Sequence, residues 1–434
     1  MPKKNKSIKY YLMVLGCQMN EADAQRVSTV LEKNNCILTM NEPDADLIAV
    51  VACSVRQSAI DRVYGKIRIW QKIKKKKELI TVLTGCVLPS DRKKLSPFFD
   101  YVLDITAISQ LPQLLWQKPI DRQGANEYLE IEPLLSSDFQ VYIPIMTGCN
   151  NFCTYCAVPH TRGREKSRAS KQIIQEIKKY IQQGYKEITL LGQNVNSYGL
   201  DQKKELNFVQ LLKKIDLITG DFWLRFMTSH PKDLSPELIH FIGHSKHLCP
   251  NLHLPIQSGD DQVLKKMNRQ YTVKKYLSLI KKVRQSNPNL SVSTDTIVGF
   301  PGETKKQFQN TVKTYRQAKF DMAYIARYSP RPGTVAALWA DDVTKQEKRS
   351  RELRLSNVVE KAGLKFNQRF IGQQVKTLIK NCKKIDSHQY KLIGKSAHDK
   401  TVKTIGPKKL VGQFVDIQIV EATPFGLSGK LKAV

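Results

Sequence analysis

Nine residues, Gly148-Cys149-Asn150-Asn151-Phe152-Cys153-Thr154-Tyr155-Cys156, carry three thiols at C-x3-C-x2-C spacing. A structural zinc ion normally takes four ligands in a closed tetrahedron. No fourth Cys or His stands at standard spacing, and His160 is the one nearby candidate. A cube of four irons held by three thiolates leaves one iron open for a small-molecule ligand. The amine and carboxylate of S-adenosylmethionine suit such an iron, and an electron from the cube would cleave the sulfonium to a 5′-deoxyadenosyl radical. A second set of thiols, Cys17, Cys53 and Cys86, is spread along the chain, each just past an apolar run: 9–16, 47–52 and 79–83. A cysteine at a strand end is often a small buried hydrophobe, but three at the same relative place predict a ligand set.

Continuous apolar runs separated by helical segments predict a parallel sheet covered on both faces. Such sheets collect ligands at the C-terminal ends of their strands, so thiols more than thirty residues apart are expected to meet there. Asn20 is expected to cap the helix after Cys17, with Asp23 in its first turn, and Ser54 to open a helix reaching Lys77. Residues 110–138, broken by Pro112, Pro119, Gly124 and Pro133, read as a connector. Six further strand-like runs lie near 139–146, 186–192, 222–227, 250–255, 290–298 and 321–327, with helical patterns at 169–183, 206–219, 235–245, 260–287 and 303–319. Repeated βα units give a parallel barrel-like sheet, but a closed one uses eight strands. An open (βα)6 partial TIM barrel is therefore expected, with its site at the C-terminal mouth.

A charged helix at about 344–369 precedes five short strands punctuated by Gly and Pro, the pattern of a small OB-like β-barrel. The overall class is α/β, divided into an N-terminal parallel sheet domain (8–124), the partial barrel (135–368) and the small β-barrel (369–434). From Arg369 onward 13 Lys+Arg face 4 Asp+Glu, and the whole chain of 434 residues carries +31. That excess suggests a polyanionic partner. No apolar run approaches the roughly 18 residues of a membrane span. The basic N-terminus lacks the apolar core of an export signal, so a cytoplasmic protein is expected. Nine cysteines, an odd count, then speak for metal chemistry over disulfides. Cys36, Cys249 and Cys382 have no partner at ligand spacing and are assigned to packing. Arg162, Arg164 and Arg168 are candidates to hold phosphates, and His230 and His253 to touch cofactor or RNA; Lys72 to Lys77 reads as a solvated helix end.

The C-x3-C-x2-C loop after the first strand of a βα barrel resembles the radical S-adenosylmethionine enzymes. With Gly16-Cys17-Gln18-Met19-Asn20-Glu21, Ala52-Cys53-Ser54, Gly85-Cys86, Thr228-Ser229-His230-Pro231 and His253-Leu254-Pro255-Ile256-Gln257-Ser258-Gly259, the whole chain resembles the methylthiotransferases, in particular the bacterial branch acting on tRNA. The resemblance implies that Cys149, Cys153 and Cys156 ligate the radical [4Fe-4S] cluster and that Cys17, Cys53 and Cys86 ligate an auxiliary one. It also implies S-adenosylmethionine contacts at Tyr155, Gln193, Gln257, Asp295 and Gly299, and a C-terminal TRAM module for RNA. Ala52, Gln57 and the stretch Arg327-Tyr328-Ser329-Pro330, just before Arg331-Pro332-Gly333-Thr334, depart from the family's commoner wording.

The reaction implied is methylthiolation of C2 of N(6)-isopentenyladenosine next to the anticodon. One S-adenosylmethionine methylates a cluster-bound sulfur; a second yields the radical that abstracts the C2 hydrogen. An unactivated C–H demands such cofactor chemistry, and the base must be exposed to reach it. A monomer fed by flavodoxin or ferredoxin, without a membrane, is expected. The rivals are threonylcarbamoyl-adenosine or a ribosomal-protein aspartate as substrate, and a zinc-holding RNA-binding protein without catalysis.

Overall fold

The computed structural model describes residues 7–117, 128–386 and 389–432. The chain divides into two compact units that interleave along the sequence: 1–136, 142–166 and 331–337 form the first, and 137–141, 167–330 and 338–434 the second.

The first unit is built on five strands, β1 (Ile8–Val14), β2 (Cys36–Leu38), β3 (Leu47–Cys53), β4 (Ile80–Cys86) and β5 (Tyr101–Val102), in the parallel order β2-β1-β3-β4-β5. Every residue of β3 is buried because the sheet is covered on both faces. Ile48, Val50 and Ala52 pack on one face against Ile60, Val63, Ile67 and Trp70 of helix α2 (Gln57–Lys74). The alternate residues Leu47, Ala49 and Val51 pack on the other against Ala24, Val27 and Leu31 of α1 (Gln18–Glu32). Period-two strands and a period-3.6 helix stripe thus meet at each face. Each large apolar side chain so buried contributes about 1.5–3 kcal/mol.

Helices α3 (Pro89–Leu95) and α4 (Leu111–Trp116) add Leu95 to the α2 face and Leu111 to the α1 face. The expected connector therefore holds a helix, with Pro112 in its first turn where a missing N–H costs nothing; Pro119 and Gly124 fall outside the described residues. The predicted start at Ser54 is also displaced. Ser54 Oγ accepts from Leu88 N instead, and α2 begins at Gln57.

Strand β6 (Gln140–Pro144) runs from the second unit into the first. The first unit then holds the ribbon strand β7 (Met146–Thr147), the cysteine loop and α5 (Val158–Arg162), before β8 (Lys166–Ser167).

In the second unit α6 (Ser170–Gln182), β9 (Glu187–Leu191), α7 (Phe208–Asp216), β10 (Trp223–Phe226), α8 (Pro236–His244), β11 (Asn251–His253), α9 (Asp261–Lys266), α10 (Val273–Ser286), β12 (Ser291–Val298), α11 (Lys305–Ala318) and β13 (Met322–Arg327) alternate as expected. The strands form two sheets of three, β10-β9-β6 and β11-β12-β13, joined by a parallel bridge between Leu224 and Leu248. The ladder thins there because Pro250 and Pro255, which cannot donate, flank β11. The helix predicted over 260–287 is two: Asn268 turns left-handed (φ 56°) after α9, and Thr272 caps α10 by accepting from Lys275 N.

Helix α12 (Lys345–Gln368) leads to a closed barrel of β14 (Gln374–Lys384), β15 (Tyr390–Ser396), β16 (Thr401–Gly406), β17 (Phe414–Thr423) and β18 (Gly426–Leu431). Its core gathers Phe366 and Phe370 with Ile379, Leu392, Ile417 and Ile419.

Candidate metal centre

Parallel register sets Cys53 opposite Cys86 at the C-terminal ends of β3 and β4. The end of β1 is held beside β3 by Leu15 N donating to Val51 O at 2.9 Å. Gly16 then turns at φ 141°, where a Cβ would lie 3.0 Å from Cys53 Cβ and 2.8 Å from Asn20 Cγ. Only glycine lets Cys17 swing into place at this crowded end.

Asn20 is fully buried and is not the helix cap; Cys17 occupies that position. The Asn20 amide donates to Leu15 O at 3.0 Å and Ala52 O at 2.8 Å, tying two strand ends together. Its oxygen accepts from Cys17 Sγ at 3.9 Å and Cys86 Sγ at 3.6 Å. Three cysteines distant in sequence are thus gathered around one asparagine and one glycine.

The second trio sits in the same unit. Gly148 (φ 79°) starts its loop so close to Arg164 O that a Cβ would lie at 1.9 Å. Cys149 N donates to Gly163 O at 3.1 Å, and Asn150 and Glu165 exchange backbone-to-side-chain hydrogen bonds of 3.2 and 3.3 Å. Asn151 Nδ2 donates to Cys149 Sγ and Val158 N to Cys156 Sγ, both at 3.5 Å, the kind of contact that favours a thiolate. Phe152 is left-handed (φ 46°), with the Arg164 guanidinium 4.3 Å over its ring. Tyr155 is half-buried.

Arg162 joins the two trios. It follows the second loop at the end of α5, yet its Nε donates to Cys86 Sγ at 2.9 Å. Its Nη1 donates to Tyr128 Oη at 3.1 Å, and its Nη2 pairs with Asp23. Both members of the ion pair are buried, at 2% and 0% exposure, so Arg162 holds no phosphate. Arg168 is likewise engaged, with Glu176 at 2.8 Å. Burial pushes the Cys86 thiol up to about 12, against the opposing pull of Arg162. Burial also raises Cys53 and Cys149. These thiols stay neutral until a metal takes their protons.

The segment Arg331–Ala337 closes over both. Arg331 donates to Val55 O at 3.1 Å and to Gln57 Oε1 at 2.7 Å, while Ala336 N donates to Thr154 O at 2.8 Å.

The second unit supplies the remaining predicted residues, at the C-terminal ends of its strands. Gln257 (φ 66°) bridges to β12, donating to Asp295 O at 2.9 Å and accepting from Ile297 N at 3.0 Å. The Asp295 carboxylate lies 3.2 Å from His253 Nε2. Gly299 N donates to Glu303 Oε2 at 2.7 Å, and Glu303 pairs with Arg351 at 2.7 Å; Thr304 caps the helix that follows.

Past β9 and β10, Gln193 Oε1, Asn194 Oδ1, both Asn196 amide atoms, Ser229 Oγ and His230 Nε2 are buried without a partner. Orphaned polar atoms in such number at a strand-end mouth fit a polar ligand. Burial holds His230 down to about 2, so it is neutral, and Nδ1 accepts from Lys232 N. Its proton therefore sits on Nε2, a buried donor that no protein group accepts from.

Among the described residues no three His, Cys, Asp or Glu side chains converge on a single ion. A cube needs no such convergence, since it seats each thiolate on its own iron. The thiol trios fit that group. Asn20, Asp23, Tyr128, Asn196 and Ser229 were not singled out as site residues by sequence reasoning. Asp23 and Arg162, separated by 139 positions, give no local signal of their pairing.

The radical SAM superfamily matches residues 143–315, and a family described as uncharacterized protein family UPF0004 matches residues 9–105. The chain is 40% identical over 435 residues to tRNA-2-methylthio-N(6)-dimethylallyladenosine synthase of Clostridium botulinum (strain Langeland), covering 97% of this chain and 96% of that one. The enzyme of the same name from Thermoanaerobacter pseudethanolicus is 40% identical, covering 99% and 94%. Among solved structures, the radical S-adenosylmethionine methyltransferase TsrM from Kitasatospora setae, with cobalamin and a [4Fe-4S] cluster bound, aligns at a TM-score of 0.53. It covers 79% of this chain and 78% of its own at 13% identity, a likeness of fold.

Proposed function

Because the chain belongs to the family of tRNA-2-methylthio-N(6)-dimethylallyladenosine synthases, we propose that it methylthiolates C2 of N(6)-isopentenyladenosine beside the anticodon of tRNA. It is a radical S-adenosylmethionine enzyme that uses two [4Fe-4S] clusters. Cys149, Cys153 and Cys156 would hold the cluster that binds S-adenosylmethionine, and Cys17, Cys53 and Cys86 the auxiliary one. When bound, these groups supply the radical chemistry that an unactivated C–H requires and the methylthio group that replaces its hydrogen.

This chain's own residues position and shield. Asn20 and Gly16 fix the first trio, while the Asn151 side-chain amide and the Val158 N–H donate to the sulfurs of the second. Tyr155, Gln193, Gln257, Asp295 and Gly299 are assigned to S-adenosylmethionine, with Asn196, Ser229 and His230 added as donors and acceptors now lacking partners. Functionally the chain is read as residues 8–124 for the auxiliary site, 135–368 for the radical core and 369–434 as a TRAM module for RNA. A cytoplasmic monomer reduced by flavodoxin or ferredoxin completes the proposal; no described helix is long and apolar enough to cross a membrane.

The observation that carries this reading is the gathering of both cysteine trios in one unit, where Arg162, just past the second loop, reaches Cys86 of the first trio. Mass spectrometry of tRNA nucleosides from cells with and without the gene tests it. Loss of the 2-methylthio derivative with accumulation of isopentenyladenosine is expected; an unchanged profile refutes the substrate. A colourless, zinc-bearing protein after anaerobic purification would refute the clusters as well.

A further inference from the structure

Helices α10, α11 and α12 of the second unit line a half-open cavity of about 640 Å³. Arg284, Arg316, Lys319, Arg354, Lys361, Lys365 and Arg369 line it, and no carboxylate does. Its walls are otherwise largely apolar, including Tyr315, Val358, Ala362 and Phe366.

Along α12 and just past its end, Arg354, Val358, Lys361, Ala362, Lys365 and Arg369 recur at the spacing of one helical stripe, with all four cations exposed. Arg369 lies 4.1 Å over the Phe366 ring. Arg284 is partly engaged, 3.7 Å from Asp321. Burial lowers its affinity for a proton and the nearby Arg369 lowers it further. Like charges concentrated over an apolar floor favour an anion that also offers a flat or apolar face.

Position decides which part of an anion fits. Arg284 and Pro288 precede the start of β12, and Lys319 precedes the start of β13, so the cavity lies at the N-terminal ends of these strands. Gln257, Asp295 and Gly299 mark the other end. β12 has 8 residues, about 25 Å at the usual strand rise. The reacting base cannot occupy both places.

We propose that this cavity binds the sugar-phosphate backbone of the tRNA away from its reacting loop, with phosphates on the cationic rim and a ribose or base on the apolar floor. The proposal rests on tRNA being the substrate. Its test is the salt dependence of binding by the cluster-loaded full chain, comparing whole tRNA with an isolated anticodon stem-loop. The variant R354A/K361A/K365A alters exposed positions that accept alanine readily.

Whole-tRNA affinity is expected to fall about tenfold or more near 0.1 M salt. The slope of log K against log salt should shrink by about 2 to 3, near one unit per lost phosphate contact. Stem-loop binding and cleavage of S-adenosylmethionine should hold at the unaltered level, and K361R/K365R should retain the slope. An unchanged slope overturns the proposal, as does an equal loss on the stem-loop. Competition by ATP that tRNA does not share would give the cavity to a free nucleotide and overturn it too. Failure of the unaltered chain to bind tRNA would instead defeat the functional reading on which this rests.

Discussion

Arg162 follows the second cysteine loop but makes its thiol contact with the first trio, at Cys86. Its three bonds, to Cys86, Tyr128 and Asp23, use the planar fork that lysine lacks. A hydrogen bond to a cluster sulfur helps set the cluster's potential. R162K should therefore retain iron but shift the auxiliary cluster to a more negative potential, read by a redox titration followed by electron paramagnetic resonance, with the radical cluster unmoved. Equal shifts of both, or of neither, would contradict this positioning role. R162Q leaves Asp23 uncompensated and should cost about 3–5 kcal/mol of stability. Cys53→Ala should lose half the iron and all of the methylthio product while circular dichroism stays that of the parent; normal product would remove Cys53 from the ligand set.

The elements that carry these residues owe their placement to ordinary forces. Glu187 on β9 is buried and pairs with Arg225 on β10 at 2.8 Å and with Lys380 on β14 at 2.6 Å. Burial alone would raise its carboxyl, but the two cations outweigh it and hold it below the usual carboxylate range. A depressed folded-state value means stability present above the unfolded value, near pH 4.3, and lost as pH falls through the folded one. Acid unfolding of the parent should steepen below about pH 4.3, whereas E187Q should start several kcal/mol lower and show less of that slope. Identical acid limbs in chemical denaturation would count against the network.

At the same scale, the run Leu-Ile-Ala-Val-Val-Ala-Cys could be read as a strand because both of its faces meet helices. The five barrel strands were legible because Gly and Pro punctuate them. The break at Asn268 was not legible: it depends on a left-handed residue inside an otherwise helical pattern. Nor was the tie made by Asn20, whose partners, Leu15 and Ala52, are carbonyls that adjacent strands bring to it.

For the whole molecule, both thiol trios belong to one compact unit and the cationic cavity to the other. Iron bound only in the folded state stabilises the unit that holds it. Calorimetry before and after anaerobic chelation should therefore move one transition downward by several degrees and leave the other in place; a single transition moving as a whole would show that the units unfold together. What the sequence could not disclose at this scale is the interleaving, since nothing in Arg331-Pro332-Gly333-Thr334 signals a return to the first unit.

That return has a consequence for biosynthesis. Val55, Gln57 and Thr154 emerge from the ribosome long before Arg331 and Ala336, the residues that bond to them. Through the intervening synthesis the nascent polypeptide displays the six cysteines of the two trios with one flank unsealed, the interval in which delivered iron would have its widest access to them. A stalled intermediate ending near residue 300 should accept iron faster than the finished chain and surrender it faster to a chelator.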